Sequence, residues 1–337
     1  MNQNRLEELL SEIPNLTIGL VGDLFLDRYL ELVPESHELS IETGLEAYQI
    51  QSIRNSPGAL GTVMNNLAAL GVRRLVPISV IGNDGHGFDL LKALEQLPID
   101  ASHILQADDR LTPTYTKPMR CDSNGHWNEL NRLDVRTRAP LTTNMTSAVC
   151  DAVEKVYEQI DGLIVLDQID ESDCGVVGLA LRSALSELAA ANEQKLIFID
   201  SRNHLHTFDC GVLKGNRGEI ARAASETEST ISTAATRLCE KTGQFVYCTL
   251  GEDGIMIMAP GSDAIVVPAC HIDGPIDIVG AGDSATAGIV CSLLAGATAK
   301  EAAEVANLVA SITVQQLGTT GTATPEEVIF RWRQIQP

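Results

Sequence analysis

The sequence predicts an α/β protein: a doubly wound, mostly parallel sheet carrying a small β-sheet lid. Three observations predict it. Apolar, β-rich runs alternate with helix-length segments along most of the chain. Those runs are apolar almost without break, as parallel strands covered on both faces must be. Two stretches abandon the alternation for polar–apolar patterning with turn residues. A chain of 337 residues suits one large domain, or one with an appendage. At that length it buries a core without disulfide or metal staples.

The elements follow in order. Leu16 to Val21, Arg74 to Gly82, Gly162 to Asp167, Lys195 to Asp200 and Phe245 to Gly251 read as buried strands. Helices are expected over Leu60 to Leu70, Phe88 to Gln96, Met145 to Gln159, Val176 to Ala191 and Ser229 to Lys241. Gly71 and Gly243 stand where a C-capping glycine belongs. Tyr29 to Ile53 and Thr114 to Leu133 read as short antiparallel strands, inserted as a lid over 29–56 and 111–133. A pair of long surface hairpins is the alternative. Segments 1–28, 57–110 and 134–337 then form the sheet domain. Its last third is helical. Thr298 and Glu301 make a capping box that opens an Ala-rich helix to about Gln316, and a final helix after Pro325 carries Trp332.

Charge narrows the function. Lys plus Arg number 24 against 45 Asp plus Glu, a formal net charge of −21. A general nucleic-acid binder needs the opposite balance, and an anionic membrane surface repels this chain. No run of about 20 apolar residues is present, and the polar start MNQNRLEELLSEIP is unlike a secretory signal. The 8 cysteines stand singly, without C-x-x-C spacing. Most are expected as small buried core residues in a soluble, cytoplasmic protein.

The most informative segment is Asp277-Ile-Val-Gly280-Ala-Gly282-Asp283-Ser, a glycine-rich turn leading into a helix. Gly280 and Gly282 let backbone approach a ligand closely. Free N–H groups at the helix start, including that of Ala281, form an anion site. Asp283 in the first turn suits the helix dipole and stands beside that anion. A carboxylate so placed can accept a proton from a hydroxyl attacking a phosphoryl group. No Lys or Arg occurs between His271 and Gly296. Negative charge there is therefore expected to be held by backbone dipoles and metal. A partial dinucleotide fingerprint, Gly280-x-Gly282-x-x-Ala285, and a purely structural helix start remain as alternatives.

Further clusters are weaker alone. In Lys214-Gly-Asn216-Arg-Gly-Glu219 an amide and a carboxylate share one helical face and suit Mg²⁺ held through water. An ordinary helix start reads the same way. Thr249-Leu-Gly251-Glu-Asp-Gly254 is a nucleotide edge or simply a hairpin. Asp23 and Asp27 lie just beyond the first strand, at the edge where α/β sheets bind ligands; they hold sugar hydroxyls or cap a turn. Gly58 to Thr62 precede the next helix and bring backbone toward the same place. His204 and His206 are read as surface residues.

These pieces, in this order, resemble the PfkB/ribokinase family of carbohydrate kinases. DIVGAGDS is similar to its C-terminal signature D-T-x-G-A-G-D, LKGNRGE to its K-x-N-x-x-E segment, and TLGEDG to its T-x-G-x-x-G turn. VGDLFLDRYL, NNLAALGV and ANLVASITVQQLGTTG are similar to the heptose-7-phosphate kinase domain of ADP-heptose synthesis enzymes. The resemblance implies a ribokinase-like fold and ATP-dependent phosphorylation of a sugar or sugar phosphate. Asp283 would be the catalytic base, with the amides of Gly280, Ala281 and Gly282 as the anion hole. Lys214, Asn216 and Glu219 would organise Mg²⁺ and the ATP phosphates. Thr249, Gly251, Gly254 and Asn307 would line the nucleotide pocket. Asp277 and the Val279 carbonyl would hold a monovalent cation such as K⁺. Asp23, Asp27, Gly58 and Thr62 would face the sugar, and the lid would pair two copies as a homodimer. One departure stands out. The family's Gly-Gly pair and following Asn read here as Gly58-Ala59-Leu60-Gly61-Thr62, and a missing polar partner changes specificity by orders of magnitude. A non-catalytic sugar- or nucleotide-binding regulator and a nucleoside kinase are the competing functions.

Overall fold

The computed structural model describes residues 1–33, 38–122 and 125–335. Parts of the expected lid at 34–37 and 123–124 lie outside the described residues. The chain opens with helix α1 (Gln3–Glu12) and strands β1 (Thr17–Gly22) and β2 (Leu24–Leu32). A minimal ribbon, β3 (Glu38–Leu39) and β4 (Glu46–Ala47), leads to β5 (Ile50–Ala59) and α2 (Leu60–Ala69). Then come β6 (Arg74–Gly82), α3 (Gly85–Leu94), β7 (Ile104–Ala107), β8 (Thr114–Cys121), β9 (Trp127–Glu129) and β10 (Leu133–Val135). The alternation resumes with α4 (Thr143–Tyr157), β11 (Gly162–Asp167), α5 (Leu179–Ala191), β12 (Leu196–Ser201), β13 (Val212–Asn216), α6 (Arg217–Ala223) and α7 (Ile231–Thr242). The chain closes with β14 (Val246–Thr249), β15 (Ile255–Met258), β16 (Ile265–Val267), α8 (Ala281–Leu294), α9 (Ala299–Thr313) and α10 (Pro325–Ile335).

The central sheet has 9 strands in the order β16-β15-β14-β13-β12-β11-β1-β6-β7. From β14 to β7 every pairing is parallel, and β15 and β16 add an antiparallel edge. One apolar cluster lies under α1, α2, α8 and α9. A second lies under α4, α5 and α7. Both faces of the parallel strands are therefore covered, which is why their sequences carry almost no polar residue. Gly288 sets the spacing of α8 and α9: a Cβ there would lie 2.9 Å from the Ala306 Cα. The expected Thr298–Glu301 box caps α9. That helix ends at Thr313, a turn short of Gln316.

The second sheet runs β10-β8-β2-β5, with β9 on β8. Its strands were expected to be antiparallel throughout, but β2 and β8 run parallel. Both leave the central sheet in the same direction, β2 from β1 and β8 after β7, so they pair side by side in parallel. The sheet also reaches beyond the expected lid limits, to Leu24, Ala59 and Val135. The reason is that Leu24 and Leu26 are buried in the main core, so β2 belongs to both layers.

Candidate active site

Residues far apart in the chain meet where the second sheet overhangs the C-terminal edge of the first. Gly280 is the N-cap of α8, at φ 80° and ψ 0°. That left-handed conformation is where glycine is at ease and most side chains are not. No side chain caps the helix; the Ala281 N–H, expected in the anion site, donates instead to the Ile278 carbonyl at 3.1 Å, which leaves the next amides, from Gly282 on, to an anion. Asp283 sits half-buried in that first turn. Burial pushes its carboxyl up to about 7, with Asp200, Asp27 and Glu219 raising it and Lys214 opposing.

The expectation that no basic side chain serves this turn is overturned. Lys214, from β13, is 4% exposed. Its Nζ lies 3.1 Å from where a Cβ on Gly282 would stand. It donates to Asp200 Oδ2 at 2.7 Å, and Thr286 Oγ1 donates to the same oxygen at 3.0 Å. Burial works against the ammonium, but Asp200 and Glu219 hold its pKa above the ordinary lysine value. The local sequence of α8 is free of cations; the neighbouring strand supplies one. Asp200 was missed by sequence reading. Its signal was present: a carboxylate ending an otherwise apolar strand at the ligand-binding edge.

Asn216 and Glu219 are brought together as a capping box. Asn216 Oδ1 accepts from the Glu219 N–H at 3.0 Å, and Glu219 Oε2 accepts from the Asn216 N–H at 2.7 Å. The helix-start reading is thus realised, and it places a carboxylate facing Lys214 and Asp283. The turn after β14 is a hairpin into β15. Thr249 ends β14, and Gly251 opens a short 3-10 turn. Gly254 has φ 96°, and a Cβ there would strike the Val267 carbonyl oxygen at 2.1 Å. Asn307 on α9 donates to the carbonyls of Val267 and Pro268 at 3.1 and 3.0 Å. Its amide nitrogen thus ties down the chain after β16 rather than standing open in the expected pocket.

Asp277 pins the segment before α8. Its carboxylate accepts from the Val279 N–H and from the Gly318 N–H, each at 3.0 Å. Among the described residues, no group of three or more His, Cys, Asp or Glu side chains is arranged to hold a metal.

On the other side of the cleft, Asp27 projects from β2 with its Oδ2 against Gly58, where a Cβ would come within 2.7 Å. Thr62 is buried at the start of α2, its methyl 3.5 Å from where a Cβ on Gly280 would stand. Asp23 does not face the cleft as expected. Its oxygens accept from the backbone N–H groups of Gln168, Ile169 and Val176 at 2.9, 3.2 and 2.8 Å. Burial and Asp167 push its carboxyl up to about 6. Asp23 is a clamp on the loop after β11, and Asp27 alone of the pair faces the acidic group at Asp283. His204, expected on the surface, is half-buried, with its ring on Asp167 at 3.1 Å. The hydrogen bond to Asp167 raises its pKa.

The altered Gly58-Ala59 step is visible in the backbone. Ala59, N-cap of α2, has φ 52° and ψ −114°. That region is comfortable only for glycine, and a side chain there costs on the order of 1–3 kcal/mol.

The profile of pfkB family carbohydrate kinases matches residues 28–327. The chain belongs to the pfkB carbohydrate kinase family. Among its relatives is the bifunctional protein HldE of Trichlorobacter lovleyi, 27% identical over 335 residues, covering 98% of this chain and 65% of that protein. HldE of Helicobacter pylori strain P12 is 28% identical over 328 residues, covering 95% of this chain and 67% of that protein. The chain therefore spans about two thirds of the length of these relatives. Among solved structures, phosphofructokinase-2 from Escherichia coli in complex with potassium superposes with TM-score 0.71 at 18% identity, covering 95% of this chain and 99% of that one. Arabidopsis thaliana ribokinase complexed with ribose and ATP gives 0.68 at 17% identity, covering 94% and 98%. The pfkB chain described here thus has the ribokinase-like fold, with the small sheet beside the mostly parallel one. Among its described residues no helix is long and apolar enough to cross a membrane.

Proposed function

We propose that this pfkB family member transfers the γ-phosphoryl of ATP to a hydroxyl of a sugar or sugar phosphate. The observation that carries the reading is Asp283, a carboxyl held near 7 in the first turn of an uncapped helix. A general base is most effective with a pKa near the working pH. The substrate hydroxyl gives its proton to Asp283 as its oxygen attacks the phosphorus. The amides of Gly280 and Gly282, together with the Lys214 ammonium, meet the charge on the transferring group. Asp27 and Gly58 position the sugar, with Thr62 beside the turn.

The donor set suits a divalent cation. Oxygen donors dominate, and the carboxylates Asp27, Asp200, Glu219 and Asp283 outnumber the nearby ammonium groups. Asn216 and Glu219, already paired to each other, would hold Mg²⁺ through water. When bound, it neutralises the ATP phosphates. Thr249, Gly251 and Gly254 frame the nucleotide, and Asp277 with the Val279 carbonyl forms a site for a monovalent cation. The second sheet acts as a lid that excludes water and pairs two copies of the chain.

The test is ADP release from a panel of sugars and sugar phosphates with Mg-ATP. Asp283→Asn should lose at least about a thousandfold in turnover while still binding ATP. Turnover retained in that variant refutes the assignment. The strained Ala59 favours one second reading, a binding protein that takes sugar without transfer. Binding without ADP release across the panel would support it.

A further inference from the structure

The inner face of the lid carries a buried cation that no motif accounts for. Lys117, on β8, is 8% exposed. Its Nζ lies 3.2 Å from Asp27 Oδ1 and 3.3 Å from the Tyr29 hydroxyl. The ammonium also stands 4.7 Å from the centre of the Tyr29 ring. Strand register explains the meeting. Asp27 and Tyr29 are two residues apart on β2, hence on one face. The parallel pairing sets Tyr115 beside Asp27 and Lys117 beside Tyr29.

Asp27 needs that partner. The residue is 8% exposed and its Oδ1 is buried, with the Lys117 ammonium at 3.2 Å as its charge partner. Its other oxygen rests against Gly58, which has no room for a side chain. The Asp27 charge also faces Asp283, where it adds to Asp200 and Glu219. Lys214 answers this group from the central sheet, where it is paired with Asp200. A buried carboxylate left without a counter-charge would protonate or swing away. The lid therefore brings its own cation.

We infer that Lys117 is a positioning residue for the acceptor: by pairing with Oδ1 it holds the Asp27 carboxylate aimed into the cleft, so that the carboxylate takes a substrate hydroxyl. This rests on the proposed sugar-binding role of the cleft. The Tyr29 hydroxyl fixes the lysine in turn. Lys117 itself does not touch the phosphoryl group.

The experiment compares Lys117→Met, Lys117→Arg, Asp27→Asn and the double variant Asp27→Asn/Lys117→Met. Acceptor KM, ATP KM and kcat are measured, with acceptor affinity by calorimetry in parallel. A charge-assisted hydrogen bond is worth roughly 10- to 100-fold in affinity. Lys117→Met should raise the acceptor KM by about that factor while the ATP KM stays within about threefold. Lys117→Arg should recover part of the loss. The double variant should be no worse than Asp27→Asn alone, since the lysine acts through the aspartate.

A loss that adds fully to that of Asp27→Asn, or that falls on the ATP KM, overturns the inference while leaving the kinase reading intact. A wild-type protein that binds a sugar without releasing ADP overturns the kinase reading instead. Calorimetry then still decides the role of Lys117 by the same fold-changes. A wild-type protein that binds no acceptor at all overturns both.

Discussion

Asp283→Asn should make the protein more stable at alkaline pH even as it loses its activity. The native carboxyl lies at about 7 against an ordinary value of 3.8. Burial is the leading cause, and the neighbouring carboxylates add to it. On raising the pH, the unfolded chain therefore releases this proton first. Between 3.8 and 7 the native state binds more protons than the unfolded one, so stability falls as pH rises. The penalty is complete above pH 7 and absent below pH 3.8. A shift of about 3 units at 1.36 kcal/mol each sets an upper bound of roughly 4 kcal/mol. Asparagine resembles the neutral acid in size and carries no charge. At pH 8 the variant should thus gain up to that amount, measured by urea denaturation. At pH 5 the gain should shrink to less than about half, because the native carboxyl is then already protonated. A variant no more stable than wild type at pH 8 would sink the claim that this carboxylate is held against its solvation. So would a gain that grows toward pH 5.

Three other outcomes follow from the same geometry. Ala59→Gly should raise the urea midpoint by the equivalent of about 1 kcal/mol, because it relieves a conformation only glycine adopts easily; a lower midpoint refutes the strain. Chelating Mg²⁺ should weaken ATP binding at least about tenfold in calorimetry, since Lys214 is largely committed to Asp200 and the remaining charge around it is negative; unchanged affinity counts against the site. Asp277→Ala frees the N–H groups of Val279 and Gly318 and loosens the turn before α8. Its kcat should fall at least about tenfold and cease to respond to potassium, tested by turnover in potassium against sodium salts.

Much of this protein was legible in one dimension. The β6 strand from Arg74 to Gly82 and the β11 strand from Gly162 to Asp167 have the expected bounds, because an apolar run bounded by charged or glycine residues has few other stable fates. The α9 cap at Thr298 and Glu301 is a local interaction complete within one turn. The GAG turn was legible too, since Gly280 and the first turn of α8 are neighbours in the chain.

What the sequence could not decide was which distant side chains share a space. Nothing in the stretch around Asp283 foretells that Lys214, about seventy positions earlier, supplies its cation. That meeting depends on β13 and α8 packing across the sheet edge. Asp23 and Asp27 look equivalent in the sequence, yet one is consumed by backbone amides after β11 and the other faces the cleft. Lys117 beside Asp27 required the parallel register of β2 and β8, which the sequence read as antiparallel. The physical reason is the same each time. Periodicity and caps are set by bonds within a few residues. Charge pairing and burial are set by elements that meet only after the chain has folded, and there a one-residue slip in register turns a side chain to the opposite face.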